Sequence, residues 1–121
     1  MTLLITLLFI KHFLADFVFQ TKWIVIGKGN ETGWFTPLLA HAGVHQAFTT
    51  AILLFFLDPF TAIAIGVVEN WLHITIDRVK ASPDLGGQYK DMYKPAFWNA
   101  LGADQLAHAL TYIAIADYVI L

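Results

Sequence analysis

Residues 59–79 read PFTAIAIGVVENWLHITIDRV. A helix of this length covers about 30 Å at about 1.5 Å per residue, the thickness of a bilayer's hydrocarbon core. Asp58 before Pro59 supplies a capping carboxylate and a proline at the first helical position, so the start is marked. Within the run Glu69, His73 and Asp77 stand four residues apart. That spacing stacks them on one face, one turn above the other. The remaining faces are mainly Ile, Val, Ala, Leu and Phe. An apolar rod with one ionisable stripe reads as a membrane span whose stripe turns away from lipid.

Three further stretches have comparable length and character, roughly Leu3–Ile26, Pro37–Leu57 and Phe97–Leu121. The whole chain has 121 residues, 58% hydrophobic and 13% charged. Soluble domains carry about 25% charged residues, so this chain has about half the charge needed to coat a soluble surface. The expected fold is all-α, a single integral membrane domain over residues 1–121. Its helices, at about 3–26, 37–57, 59–79 and 97–121, form an up-down-up-down four-helix transmembrane bundle. The first segment is not read as a signal peptide, because it lacks a basic start and contains Lys11, His12 and Asp16. Thr36–Pro37 repeats the cap-and-proline device of Asp58–Pro59. The short Asp58 link makes the second and third helices antiparallel neighbours. A net charge of -2 gives no reason to expect nucleic acid, and the absence of cysteine removes disulfides and thiolate metal sites.

Lys22, Lys28, Arg78, Lys80, Lys90 and Lys94 lie in or beside two polar segments, 27–36 and 80–96. The positive-inside rule places those segments in the cytoplasm and both termini outside it. The tryptophans lie mostly near helix ends, as interfacial aromatics do.

Every expected helix carries the same oddity. The first has His12 and Asp16, followed by Gln20; the second has His41 and His45. The third has Glu69, His73 and Asp77, and the fourth Asp104 and His108. All five histidines belong to this set. Counted from the helix ends, the pairs fall in the cytoplasmic half of the bundle. An Asp at mid-membrane costs roughly 2.5–3.5 kcal/mol on insertion scales, so these groups must turn inward and find partners.

Neutral imidazoles and carboxylates are a donor set for first-row divalent ions. The expected ligands are His12, Asp16, His41, His45, His73, Asp77, Asp104 and His108, around one or two ions. Zinc is favoured, with manganese and iron(II) also fitting. Gln20 and Gln105 either orient ligands from behind or bridge helices. Glu69 and Asp16 are the candidates for taking a proton from metal-bound water. Arg78 and Lys80 either snorkel at the helix end or grip an anionic headgroup. Lys11 is an awkward charge, expected to face a cavity or a neighbouring subunit, which leaves room for a homo-oligomer. A single histidine on an apolar helix is usually a hydrogen-bonded core residue. A metal-free His–Asp network and a proton or ion path therefore stand beside the metal reading.

HFLADFVFQ (12–20), HAGVH (41–45), HITIDRVK (73–80) and DQLAH (104–108) together resemble domain-of-unknown-function family 3307, a family of small bacterial and phage membrane proteins. The likeness covers nearly the whole chain in the same order. It implies a bacterial inner-membrane location and marks His12, Asp16, Gln20, His41, His45, His73, Asp77, Lys80, Asp104, Gln105 and His108. It implies no reaction. A looser likeness, by analogy only, extends to membrane-bound metal-dependent hydrolases.

The expected function is a membrane-embedded metal-dependent hydrolase acting on a lipid or other amphiphilic (phospho)ester from the cytoplasmic leaflet. The alternatives are a divalent-metal or proton transporter or channel, a di-iron lipid oxidase, and an assembly protein with a structural metal. The expected partners are the bilayer and a lipid substrate.

Overall fold

Asp58 begins its helix in the way the sequence dictates. It sits extended at the cap, and Oδ1 accepts from the Thr61 backbone N–H at 3.0 Å with Pro59 at the first turn. Hydrogen bonds from Thr61 hold this exposed carboxyl below its usual range. A computed structural model of the chain covers residues 1–121. It is helical throughout, with no strand. The helices are α1 (Thr2–Phe13), α2 (Lys22–Gly27), α3 (Phe35–Leu53), α4 (Pro59–Ala81) and α5 (Pro95–Ile120).

The first expected helix is divided. After α1 the chain makes a π turn over Leu14–Val18, with the Phe19 N–H reaching back five residues to the Leu14 carbonyl at 2.8 Å. Thr21 then caps α2, its hydroxyl accepting from the Ile24 N–H at 3.3 Å. No glycine or proline forces this break. The π turn carries Asp16, and turns of this kind gather at functional sites because they re-aim one side chain. Helix α3 begins at Phe35, so Trp34 rather than Thr36 is its flanking residue. Pro37 sits in the first turn, where its missing N–H has no intrahelical partner to lose. At the other end α3 stops at Leu53, and 54–57 form a turn toward Asp58.

The four long elements close into a ring in the order α1, α3, α4, α5, with α2 laid on α3. The pair α3–α4 is packed most closely. Gly66 makes this approach possible, since a Cβ there would lie 2.3 Å from Thr50 Oγ1. Asn70 also hydrogen-bonds Gln46 across the seam. Only one helical run, Pro59–Gln88, is long and apolar enough by itself to cross a membrane.

The distribution of polarity is inverted. Of 26 buried residues, eleven are polar or charged, among them Lys11, Glu69, Asp77, Asp104 and all five histidines. The outside displays Phe13, Phe17, Phe55, Phe60, Val68 and Leu110, each about half exposed or more. A hydrophobic cluster closes the end of the ring that holds the termini and the Asp58 turn. It comprises Leu4 and Leu8 from α1, Leu53 from α3, Ala62 from α4, and Tyr112, Ile115 and Ala116 from α5.

Candidate metal centre

The spacing-four pairs meet inside the ring. The Asp16 carboxylate accepts from His45 Nε2 at 2.8 Å and lies 3.0 Å from His41 Nε2, both from α3. Asp77 of α4 accepts at Oδ1 from His108 Nε2 of α5 at 3.0 Å. Its other oxygen lies 3.2 Å from His73 Nε2 and 3.3 Å from His41 Nε2. His41 thus stands between the two carboxylates. His73 is sandwiched between two other rings, with centroids 3.9 Å from His45 and 4.3 Å from His108.

Several of these buried atoms make no hydrogen bond: both ring nitrogens of His73, His41 Nε2, Asp77 Oδ2 and Asp104 Oδ1. The short His–Asp separations at His41 and His73 therefore lie off the direction a hydrogen bond needs. An unpaired buried polar atom costs about 1–3 kcal/mol, and four of these five belong to His41, His73 and Asp77, whose ligand atoms gather with those of their neighbours. A cation fits them. Ligand atoms of Asp16, His41, His45 and His73 lie within 4.8 Å of one another, as do those of His73, Asp77 and His108. Donors about 2.1 Å from a tetrahedral ion stand about 3.4 Å apart, close to the separations found. Neutral His73 can ligate through only one nitrogen, so two ions would divide the set into Asp16, His41, His45 and His73, Asp77, His108.

Two expected ligands stand aside from these groups. His12 Nε2 is 3.1 Å from Asp16 but donates to Gln105 Oε1 at 3.0 Å, while its Nδ1 accepts from the Tyr112 hydroxyl at 2.7 Å. His12 lies outside both groups of gathered ligand atoms and buttresses Asp16. Asp104 lies 3.5 Å from His108 Nε2, with Oδ2 accepting from Gln105 Nε2 at 2.9 Å. Gln105 thus fixes His12 and Asp104 together. Gln20 donates to the Asp16 backbone carbonyl at 2.6 Å and accepts from Lys28 Nζ at 2.6 Å.

The other charges have partners of their own. Glu69 is held through Oε1 by the Lys11 ammonium in a buried pair, while its Oε2 has no hydrogen-bond partner. Lys11 also reaches His45 Nδ1 at 3.2 Å and lies over the Tyr112 ring at 4.6 Å. It faces the interior, which replaces the expectation of a cavity or a neighbouring subunit. Arg78 is turned toward the 28–34 segment. Its Nη1 donates to the carbonyls of Lys28 and Asn30 at 3.1 and 3.0 Å, and its guanidinium stacks on Trp34 at 4.3 Å. Lys80 remains partly exposed, 3.8 Å from Asp104.

A family model described as "Protein of unknown function (DUF3307)" matches residues 4–121. The chain belongs to this family. No curated protein and no solved structure matches it. For a DUF3307 chain such as this one, the arrangement of its own side chains therefore carries the functional argument. That arrangement includes two residues the sequence reading passed over. Tyr112 continues the spacing of Asp104 and His108 by one more turn, a signal hidden by its aromatic surroundings. Lys28, read only as a topology charge, brings Nζ within 3.5 Å of Asp77 Oδ2.

Proposed function

We propose that this chain is a membrane-embedded metal-dependent hydrolase of an ester-bearing amphiphile. The observation that carries the reading is the convergence of imidazoles and carboxylates in two adjoining groups that share His73, one of Asp16, His41, His45 and His73 and one of His73, Asp77 and His108. With His73 given to the second, each ion would keep two imidazoles and one carboxylate. Catalytic zinc sites keep three protein ligands and leave one position open, whereas structural sites are closed by four. Zinc is the favoured ion for this donor set. When bound, it would supply Lewis acidity and a water acidified toward neutrality.

The inverted polarity supports a bundle of four membrane spans, the first made of α1, the π turn and α2 together. Contiguous exposed apolar surface on this scale is rare on soluble monomers. In lipid it is the stable arrangement, with ionisable groups turned to the interior. The basic segments 27–36 and 80–96 would then face the cytoplasm, with the termini outside.

Asp104 is the group placed to take a proton. Its Oδ1 has no hydrogen-bond partner, it lies beside His108, and Gln105 holds its orientation. Asp16 belongs to the donor set. The transport reading is weaker, because the apolar cluster of Leu4, Leu8, Leu53, Tyr112 and Ile115 closes the ring beyond the polar groups and offers an ion no further step.

The test is turnover by the full chain purified in a neutral detergent, using a chromogenic phosphate ester and a chromogenic fatty-acyl ester. Hydrolysis that a chelator removes and zinc restores is expected. Hydrolysis indifferent to chelation, or none with either ester in metal-loaded protein, would refute the proposal.

A further inference from the structure

The seam between α4 and α5 is not filled, and the space left has a definite chemical polarity. At its loop end lies a cavity of about 530 Å³ between the close of α2, the 80–90 segment and the start of α5. Lys80 and Lys90 line it and no carboxylate does. The turn that forms its wall is glycine-dependent: a Cβ on Gly87 would stand 2.4 Å from the Ala81 carbonyl oxygen. Lys80, Gly86 and Ala100 also line a second cavity of about 320 Å³, which lies between α4 and α5 and reaches Asp104. One turn further along the same two helices begins a third space of about 700 Å³. Its walls include Phe60, Ile65, Val68, Leu72, Leu110 and Ile115. Small side chains, Ala64 and Ala114, keep it open. The one acid on this wall, Glu69, is paired with Lys11 and brings no uncompensated charge.

Cations at one end, a carboxylate next, and a long apolar trough beyond describe one kind of occupant. We infer that the α4–α5 cleft binds a phosphate-bearing single-chain lipid, with the phosphate between Lys80 and Lys90 and the acyl chain along the trough. Only the passage of the linking ester past Asp104 rests on the hydrolase reading; the binding site itself does not. Lys80 is well suited to the task, since it stands at the shared wall of the first two cavities. A lysine there acts as a flexible point charge for phosphate while its stem covers apolar wall. Arg78, tied to the 28–30 carbonyls and Trp34, contributes nothing to this site.

The experiment is a binding titration on full-length protein in a neutral detergent, stripped with a chelator so that no turnover interferes. The probes are oleoyl lysophosphatidate, mono-oleoyl glycerol and inorganic phosphate. Lysophosphatidate is expected to bind at least about tenfold more tightly than either fragment. Lys80→Gln and Lys90→Gln should each weaken it severalfold while leaving mono-oleoyl glycerol unchanged. Ala114→Phe, at an exposed position that tolerates bulk, should weaken both oleoyl lipids and leave phosphate unchanged. Equal affinity for the phosphorylated and neutral lipids, or insensitivity to both lysine variants, would overturn the headgroup assignment. Phosphate binding as tightly as the lipid, or insensitivity to Ala114→Phe, would overturn the tail assignment. Binding that survives in a protein without hydrolytic activity sinks the hydrolase and leaves the cleft; activity without this binding does the reverse.

Discussion

Lys11→Met is expected to destabilise the protein by about 3–5 kcal/mol, the cost of leaving a buried charge without its partner. Lys11 and Glu69 are each only 2% exposed and hold each other across α1 and α4. Removing the ammonium strands the Glu69 carboxylate, one of whose oxygens already lacks a hydrogen bond, and deprives His45 Nδ1 of its neighbour. Glu69→Leu alone should cost a similar amount by stranding the ammonium. The double variant Lys11→Met/Glu69→Leu should recover most of the loss, because an apolar pair of similar volume often replaces a buried ion pair at little cost. Reversible unfolding in mixed micelles, arranged as a double-mutant cycle, measures the coupling. Single variants within about 1 kcal/mol of the parent would show that the pair is solvated and that the interior is not as dry as its burial implies.

Asp77→Asn is expected to lower hydrolytic turnover by about two orders of magnitude or more, and to remove about half of the bound metal. Mutations that only orient a ligand cost about 10–100-fold, and Asp77 is the carboxylate on which His73, His108 and His41 all converge. The amide keeps the shape and loses the anionic donor. Asp16→Asn should remove the other half, since Asp16 anchors His41 and His45. Gln105→Leu makes a sharper comparison. It releases Asp104 and His12 without touching a ligand, so it should slow turnover with metal content unchanged. If Asp77→Asn retained full metal and full activity, the proposed division into two sets would be wrong.

Much of this centre is written in local helix geometry. His41 and His45, His73 and Asp77, and Asp104 and His108 lie one turn apart, and any helix through them must align them. These faces turn inward, where their ionisable groups find one another across helices. What the sequence could not supply was the rotation of one helix against another. His12 has the same spacing to Asp16 as His41 has to His45. Yet the interior presents it with Tyr112 and Gln105, and those contacts depend on where α5 lies. Lys11 looked anomalous for the same reason, since its partner is 58 residues away on α4. The π turn at Leu14–Val18 escaped notice because nothing in LADFV breaks a helix; tertiary contacts to Asp16 accompany the distortion. Lys28 was hidden by its length, a loop lysine able to reach a buried Asp77.

In the proposed centre, cations hold the imidazoles and carboxylates of four helices together. Its most direct test is elemental analysis of the full chain, purified in detergent without chelator and with protein quantified by amino-acid analysis. About two equivalents of a divalent transition metal per chain, zinc foremost, are predicted. Protein that carries no such metal after purification, and takes up none when zinc, manganese and iron(II) are each supplied, would contradict the account.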